Sequence, residues 1–353
     1  MRVLMLGASY GSLLASKLLL AGHEVSLVCL PAEAELINQE GFHVRFPVRG
    51  SSEFIDVDSR RLPGKLEAGG TQAFDPVGFD LVGLAMQEPQ YRSPGVRELL
   101  DAVARSRVPC MSIMNMPPLP YLRRLPSVAA DAHRHCYTEP EVWDNFDPAL
   151  MTLCSPDPQA FRPPDEKVNV LQVGLPTNFR VARFESDKHT AMLRELQAGI
   201  EAARFDTGHG VVELPVKLKV HDSVFVPLAK SCMLMTGNYR CIRPDSVRSI
   251  KETVHEDLAR SKAIYEWVEA LVGAMGAAPE DRVPFDKYAN AASSLGKPSS
   301  AARAVANGAT HIERVDRLVQ SVAAQNGMRS DAIDEIVTTV DARLVSNRQA
   351  ASP

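Results

Sequence analysis

The spacing of apolar residues changes twice within the first thirty positions. Residues 2–6 (RVLML) form a short apolar run that stops at Gly7. Residues 11–21 (GSLLASKLLLA) repeat apolar side chains at helical spacing, and Gly22 and His23 end that pattern. Residues 24–30 (EVSLVCL) read as a second strand. Strand, glycine turn, helix and strand in this span make one βαβ unit, which crosses over right-handedly. Short extended pieces follow at 42–46 and 54–57, then buried-strand patterns at 80–86 and 109–114, with helical spacing over 96–105 between them. This alternation predicts an α/β architecture with a parallel sheet.

From 117 to 185 the chain is irregular and rich in proline, and reads as extra strands and loops closing the first domain. Residues 187–203 read as an amphipathic helix and Thr207–Val212 as a small linker. Beyond 216 the spacing is helical over 222–240, 246–276, 299–307 and 310–326, with Asp245 as a cap and Gly327 as a terminator. The expected organisation is a sheet domain over 1–212, a mostly α-helical substrate and dimerisation domain over 213–345, and a frayed tail over 346–353.

Composition narrows the class. The 353 residues are 45% hydrophobic and 23% charged, which excludes a wholly disordered chain. A net charge of −4 argues against a chiefly nucleic-acid-binding protein, since phosphate contacts need a basic surface. Six cysteines without a CxxC pair suit free thiols in a reducing, cytoplasmic setting. Glycines and Lys17 interrupt the opening apolar stretch, unlike a secretion signal, and no uncharged run reaches the length of a membrane helix.

The candidate chemistry begins at Gly7-Ala8-Ser9-Tyr10-Gly11-Ser12, between the first strand and its helix. Glycines there let the backbone turn tightly and approach a pyrophosphate, which the positive helix start favours. The pattern is a degenerate G-x-S-x-G rather than G-x-G-x-x-G. Its position makes a Rossmann-like, dinucleotide-binding first domain the expectation. At the tip of the second strand, Val28-Cys29-Leu30-Pro31-Ala32-Glu33 shows neither the carboxylate that would hold an NAD ribose nor an arginine for a 2′-phosphate. The choice between NAD and NADP stays open, with NADP favoured. Glu33 reads as a solvated residue unless the strand is longer.

Asn115 follows the strand ending at Met114, where a polar side chain faces the ligand crevice. Lys230 lies in an apolar stretch that would favour its neutral form and make it a proton donor, or it snorkels to water. Asn238, eight residues on, shares one broad helical face with it. His221 and Asp222 could form an acid–base pair, and His133 and His135 share the spacing of one strand face with Cys136 adjacent, but no complete metal-ligand set stands out.

With these residues in place, the chain resembles the ketopantoate reductase (2-dehydropantoate 2-reductase) family as a divergent member. GASYGSLLASKLLLAGHEVSLV is similar to the family's opening βαβ unit with one residue deleted. The resemblance places Gln87 where the family has a cofactor-contacting lysine, and Asn115 at the asparagine of its Gln-Asn-Gly motif. Lys230 matches the catalytic lysine and Asn238 the second of two following asparagines, the first being Leu234 here. Ser299-Ser300 resembles the serine motif that helps hold a substrate carboxylate, and His311 or Glu313 stands where the family has an active-site glutamate.

The resemblance implies NAD(P)H-dependent reduction of a 2-oxo acid or related carbonyl, and a possible homodimer. In that scheme Lys230 protonates the oxygen, Asn238 and Ser300 orient the substrate, and Asn115 serves both cofactor and substrate. An opine-dehydrogenase-like imine reductase using His221, or a dinucleotide-binding protein without catalysis, are the alternatives.

Overall fold

The computed structural model describes residues 1–48, 53–156 and 160–351. Its first strand, β1 (Arg2–Leu6), turns at Gly7 into helix α1 (Tyr10–Leu20), and β2 (Glu24–Val28) returns parallel to β1 with Leu6 opposite Val28. Both strands are buried except at their first residue, as strands covered on both faces must be. Helix α2 (Pro31–Glu40) follows. The further strands are β3 (His43–Pro47), β4 (Phe54–Asp58), β5 (Lys65–Gly69), β6 (Leu81–Leu84), β7 (Cys110–Ile113), β8 (Met151–Pro156), β9 (Ala160–Phe161), β10 (Val170–Val173), β11 (Thr177–Ala182), β12 (Phe205–Asp206), β13 (Val211–Val212) and β14 (Val216–His221). Helix α3 (Val96–Ser106) joins β6 to β7.

The main sheet has the order β14-β11-β8-β7-β6-β1-β2-β5 and is parallel except between β8 and β11. The chain builds outward from β1 through β2 to β5, then returns to β6 on the other side of β1. That reversal is the topological switch point at which doubly wound sheets bind ligands, outside the carboxyl ends of their strands. Buried hydroxyls stitch the far side: Ser112 donates to the Thr152 carbonyl at 3.0 Å, and Thr152 to the Ala182 carbonyl at 2.6 Å. A second sheet, β4-β3-β10-β9, combines the antiparallel pair β3 and β4 with strands from the proline-rich stretch.

The chain divides into two compact units. The first holds Met1–Met86, Gln90–Tyr121 and Glu141–Asp222, and the second Gln87–Pro89, Leu122–Pro140 and Ser223–Pro353. The second is built on helices Ile250–His255, Leu258–Ala274, Phe285–Ala292, Ser300–Ala306, Val315–Gln325 and Asp331–Ala351.

Several expectations change. The sheet continues past 212, because β14 pairs with β11 along its whole length. Residues 222–227 are not helical, and the helix over Leu228–Cys241 mixes 3-10, α and π turns. The stretch 246–276 is two helices, and Ser249, not Asp245, caps the first through a reciprocal box with Glu252. Thr207–Val212 lies in the β12–β13 hairpin, whose loop uses Gly208 and Gly210 at positive φ. Leu122–Pro140 groups with the helical unit rather than closing the sheet domain. The last helix runs to Ala351, where a tail was expected from 346, because Ile333, Ile336, Val337, Val340 and Leu344 bury one face. Residues 352–353 of that stretch lie outside the described residues.

Candidate active site

At the carboxyl edge of the main sheet, Gly7 takes φ +102°, which a side chain would strain. A Cβ there would meet the Ala85 carbonyl oxygen and the Met86 Cγ, both at 2.7 Å. The turn is therefore wedged against the end of β6, while the Gly7 N–H donates to the Val28 oxygen at 2.8 Å. A Cβ on Gly11 would lie 2.7 Å from the Met5 Cγ, so Gly11 lets α1 lie close on β1.

The other residues of the turn divide by burial. Ser9 is exposed at the N-cap of α1, its side chain makes no cap hydrogen bond, and the first turn carries no acidic residue. Tyr10 is half-buried and Ala8 buried. Ser12 was expected on the cofactor, yet its buried hydroxyl donates to the Ala8 carbonyl at 2.5 Å and so braces the turn from within. Gln87 comes one residue after Met86, whose N–H donates to the Tyr91 hydroxyl at 3.1 Å. Tyr91 is itself fixed edge-on against Trp143 at 5.3 Å.

Asn115 lies two residues beyond β7, hence two strand spacings, about 10 Å, along this edge from Gly7. Its Oδ1 is buried and has no hydrogen-bond partner. An orphaned amide oxygen at a strand's carboxyl end is costly unless something else supplies a donor.

The tip of β2 differs from expectation. Leu30 is 74% exposed, whereas Glu33 is buried in the first turn of α2 and ion-paired with Arg162, which follows β9. Burial raises the Glu33 carboxyl above its usual range, against the opposing pull of Arg162. Burial, then the Glu33 charge, pushes the Cys29 thiol to about 12.

These features suit a nicotinamide dinucleotide. A backbone cradle too tight for side chains, a helix start without acidic residues and an unpaired amide are the partners a pyrophosphate and a polar ring would use. Gly7, Ser9, Tyr10 and Gly11 would hold the phosphates, and Asn115 the nicotinamide end.

In the second unit, Lys230 and Asn238 lie on the irregular helix, both half-buried. An α-helix would carry Asn238 about 80° past Lys230. The π turn over Leu234–Asn238 rotates less per residue and narrows that offset. Side chains hold it: the Tyr288 hydroxyl donates to the Met233 carbonyl at 3.2 Å, and Cys241 Sγ to the Gly237 carbonyl at 3.0 Å. Ser299 Oγ donates to the Asn238 carbonyl at 2.8 Å and accepts from the Ala302 N–H at 3.1 Å, while half-buried Ser300 opens the helix that Ser299 caps.

The next residue, Tyr239, bridges the Glu313 carbonyl at 2.6 Å and the Val315 N–H at 3.0 Å. Ser299 thus ties the segment carrying Asn238 to the next helix, and Tyr239, which the sequence reading did not single out, ties it to the 313–315 segment. Glu313 is buried, with Oε1 3.4 Å from the Glu88 N–H. His311 is half-buried, with Nδ1 3.0 Å from the Thr310 hydroxyl.

Two other expectations do not hold. Asp222 is engaged by Arg194 at 2.6 Å and does not pair with His221. His133 and His135 lie on a 3-10 helix (Ala130–Cys136), not a strand, and His133 is buried between Ser321 and Gln325 at 2.8 and 2.7 Å. Among the described residues no group of three or more His, Cys, Asp or Glu side chains could hold a metal ion, no cysteine pair is bonded, and no helix is long and apolar enough to cross a membrane.

No protein-family model and no curated protein matches the sequence. Solved structures do match over nearly the full length. The 2-dehydropantoate 2-reductase of Methylococcus capsulatus is 13% identical with a TM-score of 0.68, covering 100% of this chain and 99% of that one. D-mandelate dehydrogenase in a ternary structure with NADH and anilino(oxo)acetate is 14% identical with a TM-score of 0.66, covering 99% and 100%. The dimeric ketopantoate reductase of Staphylococcus aureus is 9% identical with a TM-score of 0.63, covering 98% and 100%. The chain has the fold of the ketopantoate reductases, an α/β Rossmann-like domain followed by a helical one.

Proposed function

We propose that this protein is a nicotinamide-dinucleotide-dependent oxidoreductase that reduces a 2-oxo acid or related carbonyl compound. The observation that carries the reading is the placement, on one sheet edge at the switch point, of the Gly7 cradle and the unpartnered Asn115 Oδ1. The fold shared with proteins named for such reactions supports it, one of them determined with NADH.

The bound dinucleotide would supply a hydride to the carbonyl carbon. The chain's own residues do the rest. The Gly7–Gly11 turn would bind the phosphates, with Gln87 following the adjoining strand end. Asn115 would donate or accept at the nicotinamide end and at the substrate. Lys230 would give a proton from Nζ to the carbonyl oxygen, so that an alcohol leaves rather than an alkoxide. A donor aimed at charge that develops in the transition state accelerates the step more than one that grips the ground state. Asn238 and Ser300 would orient the substrate, with His311 or Glu313 as the further polar group.

The test is titration with NADH and NADPH, followed by assay across a panel of 2-oxo acids and related carbonyls. Nucleotide binding with turnover of at least one 2-oxo acid is expected. Binding without turnover anywhere on the panel would point to a non-catalytic protein, and no binding would overturn the reading altogether.

A further inference from the structure

Two arginines of the second unit, Arg314 and Arg240, are drawn into its interior, and the fold treats them differently. Arg314 is buried and meets carboxylates on two sides: Nε and Nη2 grip Asp316 at 2.9 and 2.8 Å, and Nη1 meets Asp341 at 2.6 Å. A guanidinium kept inside a fold needs such counter-charges. Arg240 is half-buried, and among the described residues no carboxylate pairs with it. Its Nη1 donates to the Thr236 carbonyl at 3.1 Å and to the Ser261 hydroxyl at 2.9 Å. Its Nε–H and Nη2 hydrogens meet no protein acceptor among the described residues. They form the same edge with which Arg314 holds both oxygens of Asp316, the edge that takes an oxyanion in two parallel hydrogen bonds.

We propose that the second unit carries a phosphate-binding site in which Arg240 grips the anion along its Nε–Nη2 edge, while Arg248 and Arg260 supply further positive charge. The ligand is inorganic phosphate or the phosphoryl group of a small metabolite. This site lies in the helical unit, not at the Gly7 turn, and does not rest on the dinucleotide reading.

The surroundings favour a dianion. Burial, then the charges of Arg248 and Arg260, pulls the Arg240 guanidinium down to about 10. Arg248 is lowered as well, by burial and then by Arg243, and its Nε is buried without a hydrogen-bond partner. The neighbouring acids are engaged elsewhere. Glu256 pairs with Arg248 and, at 3.9 Å, with Arg243, and Glu335 pairs with Arg260 at 2.5 Å. Asp257, the last of the influences on Arg240, accepts the Arg260 N–H at 2.9 Å as the cap of the helix Leu258–Ala274. Glu252 closes its box with Ser249. An oxyanion at Arg240 would relieve the mutual repulsion of the three guanidinium groups. Because Arg240 also holds the Thr236 carbonyl, the anion would fix the side chain that braces the π turn over Leu234–Asn238.

The test is calorimetry on the full chain with inorganic phosphate and with glycerol 3-phosphate, each against chloride at matched ionic strength. Saturable binding in the millimolar range or tighter is expected. Tighter binding of the inorganic ion marks the free ion as ligand, and tighter binding of the ester marks a phosphorylated metabolite. Arg240→Met keeps an unbranched stem, removes the fork, and should weaken binding on the order of 10- to 100-fold. It also leaves the Thr236 carbonyl and the Ser261 hydroxyl without their donor and could fail to fold. Arg260→Gln keeps both of those bonds and should weaken binding roughly 3- to 10-fold. Phosphate held at the Gly7 turn would persist in both variants. Affinity unchanged in folded Arg240→Met, or in Arg260→Gln where the first does not fold, therefore overturns the site, as does binding no stronger than that of chloride.

Discussion

Ser299 and Asn238 are joined by a hydrogen bond from the serine hydroxyl to the asparagine carbonyl at 2.8 Å. The same hydroxyl caps the helix Ser300–Ala306 by accepting from the Ala302 N–H. One buried atom thus fixes the end of the π turn carrying Asn238 and the start of the helix carrying Ser300. Ser299 is 3% exposed, so its role is positioning rather than contact with a ligand.

Ser299→Ala removes a cap and a buried hydrogen bond together. The expected cost is about 1–3 kcal/mol, read as a lower denaturant midpoint with an unchanged slope. Under the proposed function turnover should fall while dinucleotide affinity holds. Equal loss of nucleotide affinity would show that the serine acts through general destabilisation.

Gly11→Val tests the turn beneath the proposed phosphate site. Its Cβ would stand 2.7 Å from the Met5 Cγ, inside the contact between α1 and β1. Forcing methyl groups into that contact should cost about 1–3 kcal/mol and push the helix start away from the strand. Dinucleotide binding should fall sharply while a thermal melt still shows a cooperative transition. Because a side chain on Gly11 would point at the strand, the loss would come through displacement of the helix start and of the backbone N–H groups it presents.

The βαβ opening was legible because its signals are local. A continuous apolar run and a run of period 3.6 flank a glycine that a backbone turn explains, and such patterns fit β1, α1, β2, β3, β4, β6 and α3, whereas α2 and β5 were not read. The final helix was equally open to reading, from the spacing of Ile333, Ile336, Val337, Val340 and Leu344, but no helix was read past 326 and residues 346–353 were taken as a tail. What local patterns could not carry are the long-range pairs. Arg162 meets Glu33 across 129 residues, and His133 meets Ser321 across 188. The π turn is likewise invisible locally, because Tyr288, fifty-five residues on from Met233, braces it from outside the turn.

Asn115→Ala separates a ligand-facing residue from a structural one. Its Oδ1 has no partner in the fold, so its removal costs little folding energy, within about 0.5 kcal/mol. If the oxygen is reserved for cofactor or substrate, affinity for one of them should fall roughly 10-fold. Calorimetry with each reduced dinucleotide, alongside the denaturant midpoint, gives both readings from one preparation. A large stability loss with intact binding would make Asn115 a turn residue only.

His133 should make the second unit sensitive to acid. The residue is 1% exposed, with Nε2 2.7 Å from the Gln325 side-chain Oε1 and Nδ1 2.8 Å from the Ser321 hydroxyl. Burial, before any other influence, lowers its pKa below the usual 6.5, despite the opposing bond to Gln325. The unfolded chain therefore takes up a proton before the folded one does. Its stabilising contribution is present above pH 6.5 and is lost as pH falls from there towards the lowered folded value. Over that window one proton accounts for a slope of at most about 1.4 kcal/mol per pH unit. His23 and His189 are shifted the same way and add to the trend. The measurement is the urea midpoint of the wild type and of His133→Gln between neutral and mildly acid pH. The variant should lose less stability on acidification, since glutamine keeps a polar group but takes no proton. Parallel lines for the two proteins would assign the acid sensitivity to other groups.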